Sequence, residues 1–284
     1  MTGRDMHEAS FLAGILNSAH DGLQKSAAEF PMLLPAARAL RRLASTASRP
    51  YRLAILGEAN SGKSSIANRL IGGVALPASP IANTRLPCIL YYAAEPRIHA
   101  LKSDGNRVAL SARDTIASAE ILRVEVGLPA PLLRTVQLLD FPATANPLLP
   151  VRTETVLAHQ VDAALWATVA TQAWRETERQ AWLNLPERIR KRSMLAVTYC
   201  DRIASRRDFQ KLKTRLEKEA GPEFAVLCFL GAQSTPHFEE GDLSSLIESS
   251  SRECKRNRSE KALALTRKLA SRALLTLGAR EAGA

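Results

Sequence analysis

The stretch Gly57-Glu58-Ala59-Asn60-Ser61-Gly62-Lys63-Ser64-Ser65 follows the apolar run Leu53-Ala54-Ile55-Leu56 and leads into Ile66-Ala67-Asn68-Arg69-Leu70-Ile71. Gly57, four residues, then Gly62-Lys63-Ser64 is the spacing of a phosphate-binding P-loop, and it sits between an expected strand and an expected helix, as that motif requires. Glycines let backbone N–H groups turn inward around a phosphate chain. The helix starting near Lys63 aims the positive end of its dipole at the same charge. Lys63 is expected to reach the β and γ phosphates, and the Ser64 hydroxyl to ligate Mg²⁺, a cation that prefers oxygen and keeps several waters. All nine residues from Gly57 to Ser65 are candidate nucleotide contacts.

Downstream segments extend the site. Leu138-Leu139-Asp140-Phe141-Pro142-Ala143 puts an aspartate at the end of an apolar strand, where it can hold the metal through water. Thr84 lies in a loop after the first helix of the pattern and before the next strand, placed to fold over the γ-phosphate and the metal. Thr198-Tyr199-Cys200-Asp201 ends another strand, and Asp201 is positioned to accept both N–H groups on the edge of guanine, a pair that adenine lacks. Gly231, after the run Phe224 to Leu230, offers a backbone N–H to the guanine oxygen. The residues favour GTP over ATP.

These blocks occur in an order that resembles the dynamin superfamily of large GTPases, particularly bacterial dynamin-like proteins. The likeness is carried by Leu56 to Ser65 with Asn68 and Leu70-Ile71-Gly72; by Leu76-Pro77 followed by Thr84; by Val124 to Leu133 leading to Leu138-Leu139-Asp140-Phe141-Pro142; and by Thr198 with Asp201. It spans about Arg52 to Ser234. The resemblance implies a GTPase domain with a twisted sheet, a neck of helices from both chain ends, GTP or GDP with Mg²⁺ as ligands, and dimerisation through the nucleotide faces. It implies Lys63 and Thr84 as catalytic residues, with Thr84 positioning the attacking water, and Ser64, Thr84 and Asp140 around the metal.

Three positions depart from the family pattern. Ala59 stands where eukaryotic members carry a catalytic glutamine, and a methyl group cannot orient water. Ala143 replaces the glycine of the aspartate-proline-glycine element, restricting backbone motion there. Tyr199 replaces a lysine in the guanine motif. Two readings follow: a GTPase that turns over slowly or on dimerisation, and a nucleotide-binding scaffold that has lost hydrolysis.

Around this core, strand-like runs at Leu53–Leu56, Cys88–Tyr92, Ile121–Val126, Val136–Leu139, Ala163–Val169, Met194–Tyr199 and Phe224–Leu230 alternate with helical segments. That alternation predicts an α/β fold, a mostly parallel sheet flanked by helices. Arg97 to Leu110 reads as an edge hairpin turning at Asp104-Gly105-Asn106. Residues 5 to 48, broken by Pro31 and Pro35, and Ser244 to the end read as helical. The expected division is 1–48 as an N-terminal arm, 49–235 as the GTPase domain, and 236–284 as a C-terminal arm bundled with the first.

The chain's 284 residues carry a formal charge of +11, which points to an anionic partner without choosing among nucleotide, lipid surface and RNA. Basic runs at Arg188–Arg192, Arg206–Arg215 and Lys255–Arg258 fit an acidic membrane, RNA or a solvated helix face; a third reading, a ribosome- or RNA-associated GTPase, is the weaker expectation because only helices, and no RNA-binding domain, are appended to the core. No apolar run approaches the roughly 18 residues of a membrane span, and the N-terminus lacks the order of a signal peptide. A cytoplasmic protein is expected, with peripheral association at the inner face of the membrane or with a second dynamin-like chain. Cys88, Cys200, Cys228 and Cys254 lack metal-ligand spacing and read as buried thiols. Trp166, Trp174 and Trp182 read as core, and the five histidines show no ligand pattern.

Overall fold

The computed structural model describes residues 3–28, 30–72, 86–110, 121–140, 161–231, 238 and 240–281. Thr84, Phe141, Pro142, Ala143 and Ala232 lie outside the described residues. The chain divides into two compact units, Tyr51–Glu248 and a second formed by Met1–Pro50 with Ser249–Ala284.

In the larger unit, nine strands form one sheet among the described residues: β1 (Tyr51–Gly57), β2 (Cys88–Tyr92), β3 (Arg97–Lys102), β4 (Arg107–Leu110), β5 (Ile121–Leu128), β6 (Val136–Asp140), β7 (Ala163–Val169), β8 (Met194–Thr198) and β9 (Val226–Phe229). Their order is β4-β3-β5-β2-β6-β1-β7-β8-β9. The block from β6 through β9 is parallel. β2 pairs antiparallel with β6, and the β3–β4 hairpin closes one edge. Strand β1 is buried along nearly its whole length because it lies between β6 and β7, and a strand covered on both faces needs the continuous apolar run Leu53–Leu56.

Three helices of this unit matter for the site: α3 (Lys63–Leu70), α4 (Glu176–Leu183) and α6 (Arg206–Glu219); a single turn, α5 (Glu187–Arg190), lies between the last two. The largest side chains cluster where β7 and β8 meet α4 and α6. Trp182 stacks on Phe224 with centroids 4.2 Å apart, and Trp166 and Trp174 meet Trp182 edge-on. All three tryptophans are core residues, as their apolar neighbours in sequence predict.

The smaller unit is helical: α1 (Gly3–Ser26), α2 (Leu34–Ser48) and the part of α7 (Leu243–Glu281) from Ser249 onward. Ala37, Leu40, Ala44 and Ala47 recur on one face of α2, and that face packs with Leu12 and Leu16 of α1 and Ala262 of α7. His20 Nδ1 lies 2.8 Å from the Ala37 carbonyl oxygen, and the Arg258 guanidinium donates to the Arg49 carbonyl at 3.0 Å. The sequence expectation that Pro31 and Pro35 break this arm in two corresponds to the interruption between α1 and α2. Pro31 opens a short 3-10 turn, whereas Pro35 sits in the first turn of α2, where its missing N–H has no intrahelical partner to lose.

Candidate nucleotide site

Register places the candidate residues along one edge of the parallel block. Asp140 pairs with Ile55, Gly57 with Ala167, and Thr198 with Val169, so the C-terminal ends of β6, β1, β7 and β8 align. Open α/β sheets bind ligands outside the carboxyl ends of their strands. The loop Glu58–Gly62 and the start of α3 lie at that edge.

The backbone makes the cradle. Gly57 takes φ 137° and Gly62 φ 88°, values favoured by glycine. A Cβ on Gly57 would stand 2.4 Å from the Ala167 carbonyl oxygen, so the loop passes β7 with no room for a side chain. Gly62 begins α3 without any side-chain cap, which leaves the first-turn N–H groups open to an anion. The Ser61 hydroxyl is buried without a protein partner.

Lys63 folds back over this loop. Its Nζ donates to the Gly57 carbonyl at 3.0 Å and to the Glu58 carbonyl at 2.6 Å, and burial pushes its pKa down while Asp140 opposes the shift. Asp140, half-buried at the end of β6, is pushed up to about 6 by desolvation, with Lys63 pulling the other way. A cation held on the loop and a carboxylate at the end of β6 thus act on each other at this edge. Ser64 and Ser65 are exposed on the first turn of α3.

Thr198 ties the loop to the sheet. Its hydroxyl lies 2.9 Å from the Ser61 carbonyl and 3.0 Å from the Thr168 carbonyl, sharing one proton between two acceptors. Beyond it, a cavity of about 350 Å³ is bordered by Gly62, Ser65, Ile66, Arg69, Thr198, Tyr199, Leu230 and Gly231. Tyr199 adopts left-handed backbone at φ 56°, and the Arg202 guanidinium lies 4.3 Å from its ring centroid. Asp201 is half-buried on the 3-10 turn Cys200–Arg202, two residues past the cavity wall. Gly231 borders the cavity, and its N–H donates to Glu240 Oε1 at 3.3 Å. The donor expected for the guanine oxygen is therefore engaged.

On the opposite side of the loop, Glu58 accepts from Thr177 Oγ1 at 2.9 Å and pairs with Arg175. Behind them Glu178 is 2% exposed. It accepts from Thr168 Oγ1 at 2.9 Å, the Arg175 N–H at 3.0 Å and Trp166 Nε1 at 3.3 Å. Sequence reasoning missed this buried carboxylate. The available signal was Trp182, four residues later on the same helix face. Asn60 and Trp174, like Tyr199, hold positive φ; these three are the only such non-glycine residues among those described, and Asn60 lies within the loop itself.

The basic runs are largely engaged within the chain. Arg190 pairs with Glu223 at 2.6 Å, Lys191 with Glu187 at 2.6 Å and Lys211 with Asp208 at 3.2 Å. Arg215 donates to the Ala173 carbonyl at 2.8 Å. Among the described residues, no helix is long and apolar enough to cross a membrane, and no group of three or more His, Cys, Asp and Glu side chains could hold a metal ion.

A strand, a glycine-hinged loop with an inward lysine, and a helix at the carboxyl edge of a parallel sheet define the P-loop GTPase class of fold. A model of the Dynamin family matches residues 53–193, about half of the chain, and the chain belongs to the dynamin superfamily of GTPases. It is 27% identical over 154 residues to Dynamin-like protein 2 of Campylobacter jejuni subsp. jejuni serotype O:23/36 (strain 81-176), covering 50% of this chain and 24% of that protein. Two solved structures of an oligomerised bacterial dynamin pair, described as a mechanism for long-range sensing and tethering of membranes, share its fold. One superposes with a TM-score of 0.59 at 19% identity over 81% of this chain and 39% of its own; the other with 0.56 at 18% over 80% and 39%. The chain therefore spans about a quarter of the curated relative and two fifths of the solved dynamins.

Proposed function

We propose that this chain binds a guanine nucleotide with Mg²⁺ at the carboxyl edge of the sheet, hydrolyses GTP slowly, and uses the nucleotide state to control association with a membrane surface or a partner chain. The observation carrying the reading is the Lys63 ammonium, turned back onto the Gly57 and Glu58 carbonyls beside an uncapped helix start. A buried cation and inward N–H groups are what a polyphosphate tail needs. The orphaned Ser61 hydroxyl and the Gly57 passage, too narrow for a Cβ, fit the same ligand.

In this reading the loop from Gly57 to Ser65 holds the phosphates, and Lys63 with the loop N–H groups stabilises charge developing as water displaces GDP from the γ-phosphate. Ser64, Thr84 and Asp140 are the oxygen donors available to Mg²⁺, which would supply further charge neutralisation when bound. Asp140, raised by desolvation, would lose its proton beside a dication. Thr84 is assigned the attacking water, Asp201 the amino and imino edge of guanine, and Thr198 the support of the loop. Dimerisation through the nucleotide faces would complete the site.

Slow turnover follows from two side chains. Ala59 cannot orient water, and Glu58, the neighbouring carboxylate, is held by Arg175 and Thr177. That engagement also favours the second reading, a scaffold without hydrolysis. Single-turnover phosphate release, compared between the wild type and Lys63→Ala across protein concentrations, separates them. The proposal expects slow release that rises with concentration and disappears in the variant. Equal release from both proteins contradicts it, and tight binding with no release at any concentration leaves the scaffold.

The membrane or partner role draws on the solved dynamin pair and on the net charge. RNA is the weaker target, since the solved dynamin pair is described in terms of membranes. Sedimentation with acidic liposomes against RNA over a salt series tests it, because an RNA complex loses affinity steeply with salt.

A further inference from the structure

Arg69, at the end of α3, borders the 350 Å³ cavity together with Tyr199 and Gly231. Its guanidinium donates to Glu240 Oε1 at 2.5 Å and to the Gly231 carbonyl at 3.4 Å, both bonds leaving through Nη1. Glu240 Oε1 also accepts the Gly231 N–H. The carboxylate thus does two things at once. It takes the backbone donor that the sequence assigns to guanine, and it fixes a guanidinium at the cavity whose Nε and Nη2 donors neither bond uses.

We propose that Arg69 reads the base, its Nε and Nη2 donors pairing with O6 and N7 of a guanine nucleotide. A guanidinium fork matches those two adjacent acceptors bidentately. Adenine keeps N7 but presents an amino group in place of O6, so donor meets donor. Glu240 is the positioning residue: it anchors Nη1 and so fixes which edge of the fork is left for a ligand. With the Arg69 side chain 46% exposed, the fork has room to settle on the base. Asp201 remains assigned to the opposite, Watson–Crick side of guanine, so two charged groups of opposite sign would divide the recognition.

This inference rests on the nucleotide reading above, and the probes separate the two. Affinities for GDP, 7-deaza-GDP, IDP and ADP are measured by calorimetry with Mg²⁺ for the wild type, Arg69→Ala and Arg69→Lys. 7-Deaza-GDP lacks only the N7 acceptor, and IDP lacks only the amino group facing Asp201. The wild type is expected to bind GDP about tenfold more tightly than 7-deaza-GDP. Arg69→Ala should erase that ratio, lower GDP affinity by a similar factor, leave ADP unchanged and preserve the GDP-to-IDP ratio. Arg69→Lys, a point donor without the fork, should fall between. The comparison of GDP with 7-deaza-GDP on the wild type needs no variant, so a misfolded mutant does not shield the idea. Equal affinity of the wild type for both, or a ratio that persists in Arg69→Ala, overturns the role of Arg69 while leaving nucleotide binding intact. Binding of none of the four overturns both.

Discussion

Under the proposed function the two halves of the candidate site are built differently: the phosphate half is mostly backbone, whereas the base half gathers its groups from distant parts of the chain. Between Gly57 and Lys63 the loop holds positive φ at Gly57, Asn60 and Gly62, and its lysine bonds two carbonyls of the same loop. The base cavity instead gathers Arg69 from α3, Tyr199 from the end of β8 and Gly231 from the end of β9, with Glu240 tying Arg69 to Gly231. A backbone cradle is preformed and indifferent to the base; a side-chain cavity can be altered one residue at a time. Changes in the first half should weaken every nucleotide alike, and changes in the second should alter ratios.

The largest effect belongs to Gly57→Ala. The added methyl meets the Ala167 carbonyl oxygen at 2.4 Å on backbone with φ 137°, so clash and strain add. A loss of about 3 kcal/mol or more in stability is expected, with GDP and ADP binding abolished together, read by denaturant melts and calorimetry. Retained ADP binding would break the claim that the cradle is indifferent to the base.

Thr198→Val comes next. Thr198 borders the base cavity, yet its hydroxyl serves the Ser61 carbonyl of the cradle. Removing it should cost about 1–2 kcal/mol in urea melts and weaken GDP and ADP by the same factor. A change in their ratio would move Thr198 to the other half.

Asp140→Asn gives the smallest effect and reverses sign. Burial raises the folded-state pKa of Asp140 from 3.8 to about 6. Below the unfolded value both states hold the proton and nothing is lost. Between the two values the unfolded chain ionises while the folded one does not, so stability falls; above about 6 the penalty is complete. Nucleotide-free Asp140→Asn should therefore be more stable than the wild type at neutral pH, by about 1 kcal/mol after allowing for residual solvent around the carboxylate. The advantage should fade as pH drops below 4, and Mg²⁺-dependent nucleotide affinity should fall. A variant less stable at neutral pH would show that Lys63, rather than desolvation, governs this carboxylate.

The same contrast explains what was legible in the sequence. The P-loop lies within nine consecutive residues, so spacing and the strand-to-helix context announce it. Strands β1 to β9 were readable because their apolar runs are short and bounded, and the β3–β4 hairpin because Asp104-Gly105-Asn106 marks its turn. The Arg69–Glu240 pair was not readable: its partners stand 171 positions apart, and no local pattern distinguishes either from a surface charge. Glu178 carries no local mark of burial of its own, because Thr168 and Trp166, which donate to it, come from β7 rather than from its helix. Gly231 was read as a donor to the guanine oxygen because it follows an apolar strand; that its N–H meets Glu240 Oε1 depends on a residue nine positions on that no local pattern marks.

Equilibrium dialysis of GDP in millimolar Mg²⁺ against the wild type and Lys63→Ala addresses the nucleotide pocket most directly. Saturable uptake by the wild type, weakened roughly 100-fold in the variant through loss of a charge-assisted contact, is the predicted result. No uptake by the wild type, or equal uptake by both, contradicts it.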